Sequence, residues 1–357
     1  MAVTMKDIAM LIGISRQAVA AALESDESNS RVSKETREKV LKLAKELNYI
    51  PNVAARTLKG GRSRTIGILA HPGMPHSSSV LAEICRIINV RGYNYIVCDL
   101  LESIAEPSQL CLNLAAQGVC GIIMLDAIKT PSKIGTLPDL PIVVCRTKQG
   151  FSDIDIDKEK IGYIATEHLL QHGHKQVFYL GIISGSNNRR MQGWKRALQE
   201  HNATGKIIDL SIDGGASLAE YIKKENVTAV FCSNDFLAAK TIRFLIQHGI
   251  RVPEDVAIVG CDGNSFIEFT SPSVTSVIQG VHELSEKCVD MLFDRMDKKI
   301  HGIILEKINI PPRLWTGGSC GCKERQLDMI YRLNSTGNLE KDYRLNFNTS
   351  LWENEGE

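Results

Sequence analysis

The stretch Thr4-Met5-Lys6-Asp7-Ile8-Ala9, followed by Gly13-Ile14-Ser15-Arg16-Gln17-Ala18-Val19, decides how the first fifty residues fold. Thr4 and Asp7 have the spacing of a variant capping box, so a helix is expected to start after Thr4. Ile8, Leu11 and Ile12 recur at helical spacing and are expected to face inward. Gly13 permits a tight turn, and Ser15 is a good N-cap for a second helix. There Val19, Ala22 and Leu23 fall on the inner side, leaving Arg16, Gln17 and Ala20 outward near the helix start. Two short helices joined in this way make a helix-turn-helix, whose second helix enters the DNA major groove. Arg pairs bidentately with guanine and Gln with adenine. The competing reading of both is a solvated helix face.

Working outward, Ser33 caps a third helix, with Val32 before it as a staple. Thr36, Val40, Leu43, Ala44 and Leu47 form its apolar stripe. This helix is expected to end before Asn48-Tyr49-Ile50-Pro51. The next segment, Pro51 to Gly61, has Pro at its start and Gly at its end. It is too short for a stable isolated helix, so it is expected to become helical on DNA.

A length of 357 residues exceeds one ordinary core, which predicts at least two domains. Residues 1–64 carry 12 Lys and Arg against 7 Asp and Glu, a net of +5; the remainder carries 30 against 34, a net of −4. A basic head on an acidic body predicts that the head meets phosphate. No apolar run approaches the ~18 residues of a membrane span, and no signal-peptide pattern opens the chain. The ten cysteines lack a framework spacing, which fits reduced thiols. A cytoplasmic bacterial protein associated with the nucleoid, and without membrane contact, is the expectation.

Residues 3–69 resemble the lactose-repressor (LacI/GalR) family of bacterial regulators. The resemblance rests on Val3 to Ala9, Gly13-Ile14-Ser15, Val19, Val32 to Val40, Leu47 to Asn52, Ala55 to Leu58 and Arg64 to Ile68. It implies DNA contacts from Thr4, Ser15, Arg16, Gln17 and Ala20. It further implies a hinge helix carrying Asn52, Ala55, Leu58 and Lys59, with Leu58 wedged into the minor groove. One departure stands on the reading helix. Ala20-Ala21-Ala22-Leu23-Glu24 lacks the Arg and the Asn that the family usually places there, and the loop Ser25 to Arg31 is longer and holds two acids. An unusual operator, or weaker affinity per headpiece, is the consequence.

From residue 65 short apolar runs alternate with amphipathic stretches. Strands are expected at 65–70, 94–98, 121–125, 141–145, 176–180, 228–232 and 256–260, among others. Helices are expected at 78–91, 158–172, 189–201, 235–247 and 281–296. This alternation builds parallel sheets covered by helices. The resemblance implies two such subdomains, similar to periplasmic binding proteins, with the chain crossing near 155–160, 275–282 and 300–312. The fold class is thus an all-α helix-turn-helix headpiece plus an α/β effector domain of two parallel-sheet subdomains. The expected divisions are 1–50 for the headpiece, 51–63 for the hinge, 64–318 for the effector and dimerisation domain, and 319–357 for the tail.

Ligands of such sheets bind beyond the carboxyl ends of the strands. Asn234-Asp235 and Asp262 follow apolar strand runs, and Arg190 lies four residues before Trp194. The resemblance makes Arg190, Trp194, Asn234, Asp235 and Asp262 effector contacts. Amide, carboxylate and guanidinium groups with an aromatic face suit a carbohydrate-like ligand. Asn234 and Asp235 could equally cap the next helix. The loop after the first strand carries His71 and His76, which read either as effector contacts or as solvated residues, and His71 is retained as a candidate.

No metal and no cofactor is expected. His168 and His172 are four residues apart but lack the Glu of a zinc-protease helix, and Cys320-Gly321-Cys322 is a lone pair. The expected partners are double-stranded operator DNA, a small effector and a second copy of the chain, since paired headpieces match palindromic sites. A transporter's solute-binding protein would share the body but not the headpiece. A dehydrogenase would need a Gly-x-Gly-x-x-Gly loop where Ala70-His71-Pro72-Gly73-Met74-Pro75 stands, so no enzyme is expected.

Overall fold

A computed structural model describes residues 3–23, 32–49, 63–73, 75–100, 106–126, 135–146, 152–181, 186–209, 216–304 and 306–322. The chain divides into two units, Met1–Ser63 and Arg64–Glu357. The hinge candidates Asn52, Ala55, Leu58 and Lys59 and the tail 323–357 lie outside the described residues.

The first unit holds α1 (Met5–Ile12), α2 (Arg16–Leu23) and α3 (Lys34–Glu46). At its start the Asp7 carboxylate accepts both the Thr4 N–H, at 2.8 Å, and the Thr4 hydroxyl, at 2.7 Å. Gly13 takes the left-handed conformation, φ 75°, and its N–H closes α1 on the Ala9 carbonyl. The Ser15 hydroxyl accepts the Ala18 N–H at 3.1 Å, and that of Ser33 the Thr36 N–H at 3.3 Å. These caps satisfy N–H groups that the first helical turn leaves unpaired. Ile8, Ala9, Val19, Ala22, Val40 and Ala44 form the core. Leu11 corrects the expectation, being 65% exposed. The buried face of α1 is centred on Ile8, Ala9 and Ile12, and Leu11 lies about 100° round the helix from it.

The second unit contains two sheets. The first lobe has the order β11-β5-β4-β3-β1-β2, all parallel, from β1 (Thr65–Ala70), β2 (Asn94–Asp99), β3 (Gly121–Leu125), β4 (Ile142–Cys145), β5 (Ile154–Ile156) and β11 (Ile308–Ile310). Helices α4 (Pro75–Val90) and α5 (Pro107–Ala116) belong to it. The second lobe has the order β12-β10-β9-β8-β6-β7, from β6 (Phe178–Gly181), β7 (Ile207–Asp209), β8 (Ala229–Cys232), β9 (Ala257–Asp262), β10 (Thr275–Ile278) and β12 (Arg313–Trp315). Only β12 runs antiparallel. Its helices are α6 (Lys158–Gln171), α7 (Ser186–Glu200), α8 (Ala216–Lys224) and α9 (Asp235–Gln247).

Central strands such as β3, Gly-Ile-Ile-Met-Leu, are buried along their whole length. Helices on both faces explain why they read as continuous apolar runs rather than alternations. The chain leaves the first lobe after β5, returns after β10 through α10 (Val281–Lys298), which packs on α4, and crosses again between β11 and β12. These three crossings fall inside the expected intervals. Among the described residues no helix is long and apolar enough to cross a membrane.

Candidate effector cleft and DNA-reading helix

Six polar side chains gather where the crossings meet the strand ends. Asp126 follows β3, Arg146 follows β4, Lys158 opens α6 after β5, Arg190 lies on α7, Asp262 ends β9 and Gln279 follows β10. Three of them have backbones that ordinary residues avoid: Asp126 (φ 59°), Arg146 (φ 54°) and Asp262 (φ 128°). The other described non-glycine residues at positive φ, Asn48, Asn202, Asn226 and Lys299, all follow helix ends, where that conformation is ordinary. At strand ends it costs of order 1–3 kcal/mol each and concentrates at functional sites.

Arg190 is 6% exposed and donates to Asp262 at 2.8 Å and to the Ser233 carbonyl. Gln279 also donates to Asp262. Burial pushes the Asp262 carboxyl up, while Arg190 and Arg146 pull it back toward the charged form. Arg146 pairs with Asp126 at 3.4 Å, and Lys158 with Asp155 at 2.9 Å. His76 is buried beside Arg146, Arg190 and Lys158; burial first, then those cations, hold its ring well below the usual imidazole range. Burial likewise lowers Lys158, against the pull of Asp155. Arg146 keeps two buried N–H groups, Nε and Nη1, and Arg190 keeps Nε, without a hydrogen-bond acceptor among the described residues.

Arg190 is placed by backbone contact between two helices. A Cβ on Gly162 of α6 would lie 1.8 Å from the Arg190 carbonyl oxygen, and one on Gly193 of α7 would lie 1.8 Å from that of Glu159. The glycines let α6 and α7 touch, which fixes where the guanidinium starts.

The expected effector residues separate. Arg190 and Asp262 stand together, and His71 is buried at the end of β1. Asn234 caps α9, its Oδ1 accepting the Leu237 N–H at 2.7 Å, which leaves the amide nitrogen as a donor. Asp235 is a correction. It is fully buried, and its carboxylate accepts the N–H groups of Gly263 (2.7 Å) and Asn264 (2.9 Å) and the Ser276 hydroxyl (2.6 Å). Its carboxylate thus fastens the turn after β9 to β10 and helps to position Asp262, from inside the lobe and out of solvent. Trp194 is a second correction. Its indole N–H donates to the Val177 carbonyl at 2.8 Å, just before β6, and its ring packs on Tyr179. That is the amino end of the sheet, opposite the cleft.

Asp126, Arg146, Lys158 and Gln279 were not among the expected contacts. The signal was present: each follows an apolar strand run by one or two residues, as Asp262 follows or ends its own. The fold also brings His168 and His172 of α6 close to Cys322.

In the first unit Thr4, Ser15, Arg16 and Gln17 are exposed, and Ala20 is half-buried. Arg16 and Gln17 occupy the first turn of α2, the part of a recognition helix that meets base edges. Thr4 and Ser15 stand at helix starts, where free backbone N–H groups suit phosphate.

Residues 4–52 match the model of bacterial regulatory proteins, lacI family, and residues 166–320 match a periplasmic binding protein-like domain. The HTH-type transcriptional repressor PurR of Vibrio vulnificus (strain CMCP6) is 30% identical over 317 residues, which cover 84% of this chain and 93% of the repressor. The chain belongs to the lacI family. Among solved lacI-family structures, the Lac repressor dimer bound to operator and the anti-inducer ONPF superposes with a TM-score of 0.72 at 25% identity, covering 90% of this chain and 99% of the repressor. A lacI-family regulator from Enterococcus faecium with bound ribose gives 0.59 at 27% identity, covering 71% and 98%. Both halves of this lacI-family member therefore have counterparts in order, headpiece first and two-lobed domain after.

Proposed function

We propose that the chain is a homodimeric transcriptional repressor, acting in the bacterial cytoplasm, whose operator binding is set by a sugar or sugar derivative held between the two lobes. The observation that carries the reading is the convergence of Arg146 from the first lobe with Arg190 and Asp262 from the second, beside crossing residues Lys158 and Gln279. Their unmatched guanidinium donors call for an acceptor-rich ligand, and the carboxylates accept hydroxyls, a pairing that suits a polyhydroxylated molecule. The Trp194 platform expected for a sugar ring is not at the cleft, so recognition rests on hydrogen bonds and charge.

A ligand touching both lobes binds one lobe arrangement better than another. That difference is the free energy available to bias the hinge segment, and allosteric couplings of this kind are worth about 1–3 kcal/mol. Phe236 (63% exposed) and Ile246 (47%) on α9 line one groove with Phe266, Thr270 and Ser271 of the segment after β9, which also carries the exposed Phe269 (77%), and offer an apolar surface for a second copy. The dimeric state of the similar Lac repressor supports that occupant.

The test combines selection of binding sites from random DNA with a thermal-shift panel of neutral sugars, phosphorylated sugars, sugar acids and nucleosides. A sugar-class stabiliser should alter operator affinity, and Asp262→Asn and Arg146→Gln should each abolish the stabilisation. A nucleoside as the sole stabiliser would overturn the sugar assignment. Stabilisation that survives both substitutions would overturn the site.

A further inference from the structure

We propose that His168, His172 and Cys322 form a binding site for zinc or a similar thiophilic divalent cation, separate from the effector cleft. The two histidines are one turn apart on α6, their ring centroids separated by 4.5 Å. Cys322 Sγ lies 3.2 Å from His172 Nε2 and 3.8 Å from His168 Nε2, and the three donor atoms all lie within 4.8 Å of one another. A tetrahedral zinc with its usual bond lengths holds nitrogen and sulfur ligands about 3.6 Å apart. The donors therefore already stand near the edges of that polyhedron. Two imidazoles and a thiolate select zinc-class ions over magnesium or calcium, which want oxygen.

The site is built on anchored elements. His168 is buried within α6 and His172 caps its carboxyl end. Cys322 follows the short helical turn Gly318–Cys320. That turn is fastened by Ser319, whose hydroxyl donates to Ile258 at 2.6 Å and accepts the Thr275 N–H at 2.8 Å. Ile258 and Thr275 lie near the amino ends of β9 and β10, while the effector cleft lies at their carboxyl ends. A bound cation would clamp this turn to α6 at the far end of the second lobe. Binding deprotonates the Cys322 thiol, the proton passing to solvent, and uses neutral imidazoles, with water as the fourth ligand.

The full chain, reduced and stripped of metal with a chelator, is titrated with cobalt(II) and then zinc(II). One equivalent of cobalt should bind per chain with a thiolate-to-cobalt charge-transfer absorption that zinc abolishes, and zinc should raise the melting temperature. His172→Ala, at an exposed position that folding tolerates, and Cys322→Ser should each remove the absorption. Loss of even a supporting residue weakens metal sites by about 10–100-fold, so each loss of a ligand should cost more than about 100-fold. The half-buried Cys98 is the control, and Cys98→Ser should change nothing. Absence of the thiolate absorption, or its survival in both ligand variants, overturns the proposal.

Discussion

Replacing Arg295 by Met tests how the floor of the first lobe is held. Arg295 on α10 is 1% exposed and meets Asp153, which is fully buried, with two hydrogen bonds of 2.7 and 3.2 Å. The guanidinium also donates to the Ile142 carbonyl. Asp153 in turn accepts the backbone N–H groups of Val144 at 2.7 Å and Glu306 at 3.1 Å. One ion pair thus joins α10, β4, the approach to β5 and the segment before β11, on either side of the lobe crossings. Arg295→Met keeps most of the side-chain volume but leaves a carboxylate out of water without its cation. Breaking a buried pair in this way costs about 3–5 kcal/mol, a large share of the ~5–15 kcal/mol that holds a domain folded. Adding Asp153→Asn removes the stranded charge while its amide oxygen still accepts backbone N–H groups. The double variant should recover roughly 2 kcal/mol of that loss, because replacing both partners is far cheaper than removing one. Urea denaturation followed by circular dichroism measures each step. A single-variant cost below about 1 kcal/mol, the range of exposed pairs, or a double variant no more stable than the single one, would refute the reasoning.

On α2, Arg16→Ala and Gln17→Ala should each cost about 1–3 kcal/mol at one operator base pair and relax preference there; an equal loss on every DNA sequence would mean phosphate contact instead. Gly162→Ala drives a methyl group into the Arg190 carbonyl, so α6 and α7 must part. It should destabilise the chain by about 1–3 kcal/mol and weaken effector binding, whereas unchanged ligand affinity would break the link between helix contact and guanidinium position. Asp235 carries a pH signature. Burial, and then the charge of Asp262, push its carboxyl up from 3.8 to about 7. Between those values the folded chain holds a proton that the unfolded chain has lost, so this group's contribution falls as pH rises through 7. Asp235→Asn should flatten that slope in denaturation curves taken from pH 5 to 8, and an unaltered slope would place the titration elsewhere.

The sequence is most legible where local chemistry and burial agree. Thr4, Gly13, Ser15 and Ser33 announce their caps and turn, and β1, β3, β8 and β9 announce themselves as apolar runs because parallel strands are covered on both faces. The three-residue strands β5, β7, β11 and β12 carry too few residues to show any period, and the pairing of β5, β11 and β12 comes from the crossings rather than from propensity. At the cleft, Arg190 and Asp262 are readable because they stand at strand ends or in family positions. Trp194 is four residues from Arg190 and on the same helix, yet one turn of helix carries it to the opposite end of the sheet. Asp235 is next to Asn234, but backbone N–H groups of the turn after β9 claim its carboxylate. The His168–Cys322 contact spans 154 residues, and no spacing rule reaches across that separation.

The cleft is where this fold gives up stability. Asp126, Arg146 and Asp262 hold left-handed backbones at strand ends, and buried guanidinium N–H groups of Arg146 and Arg190 lack acceptors among the described residues. Each feature costs free energy, and the two guanidinium groups come from different lobes. A ligand that supplies acceptors to Arg146 and Arg190 together recovers part of that cost only in the lobe arrangement that brings both within reach. The same atoms that make the cleft expensive therefore make its ligand discriminate between arrangements, and discrimination, not tightness, is what can move an equilibrium at another site of the chain. Arg146→Gln combined with Asp126→Asn, which removes the unmatched donors without stranding the carboxylate that Arg146 pairs with at 3.4 Å, should on this argument leave the fold as stable as before or more so while uncoupling ligand from operator.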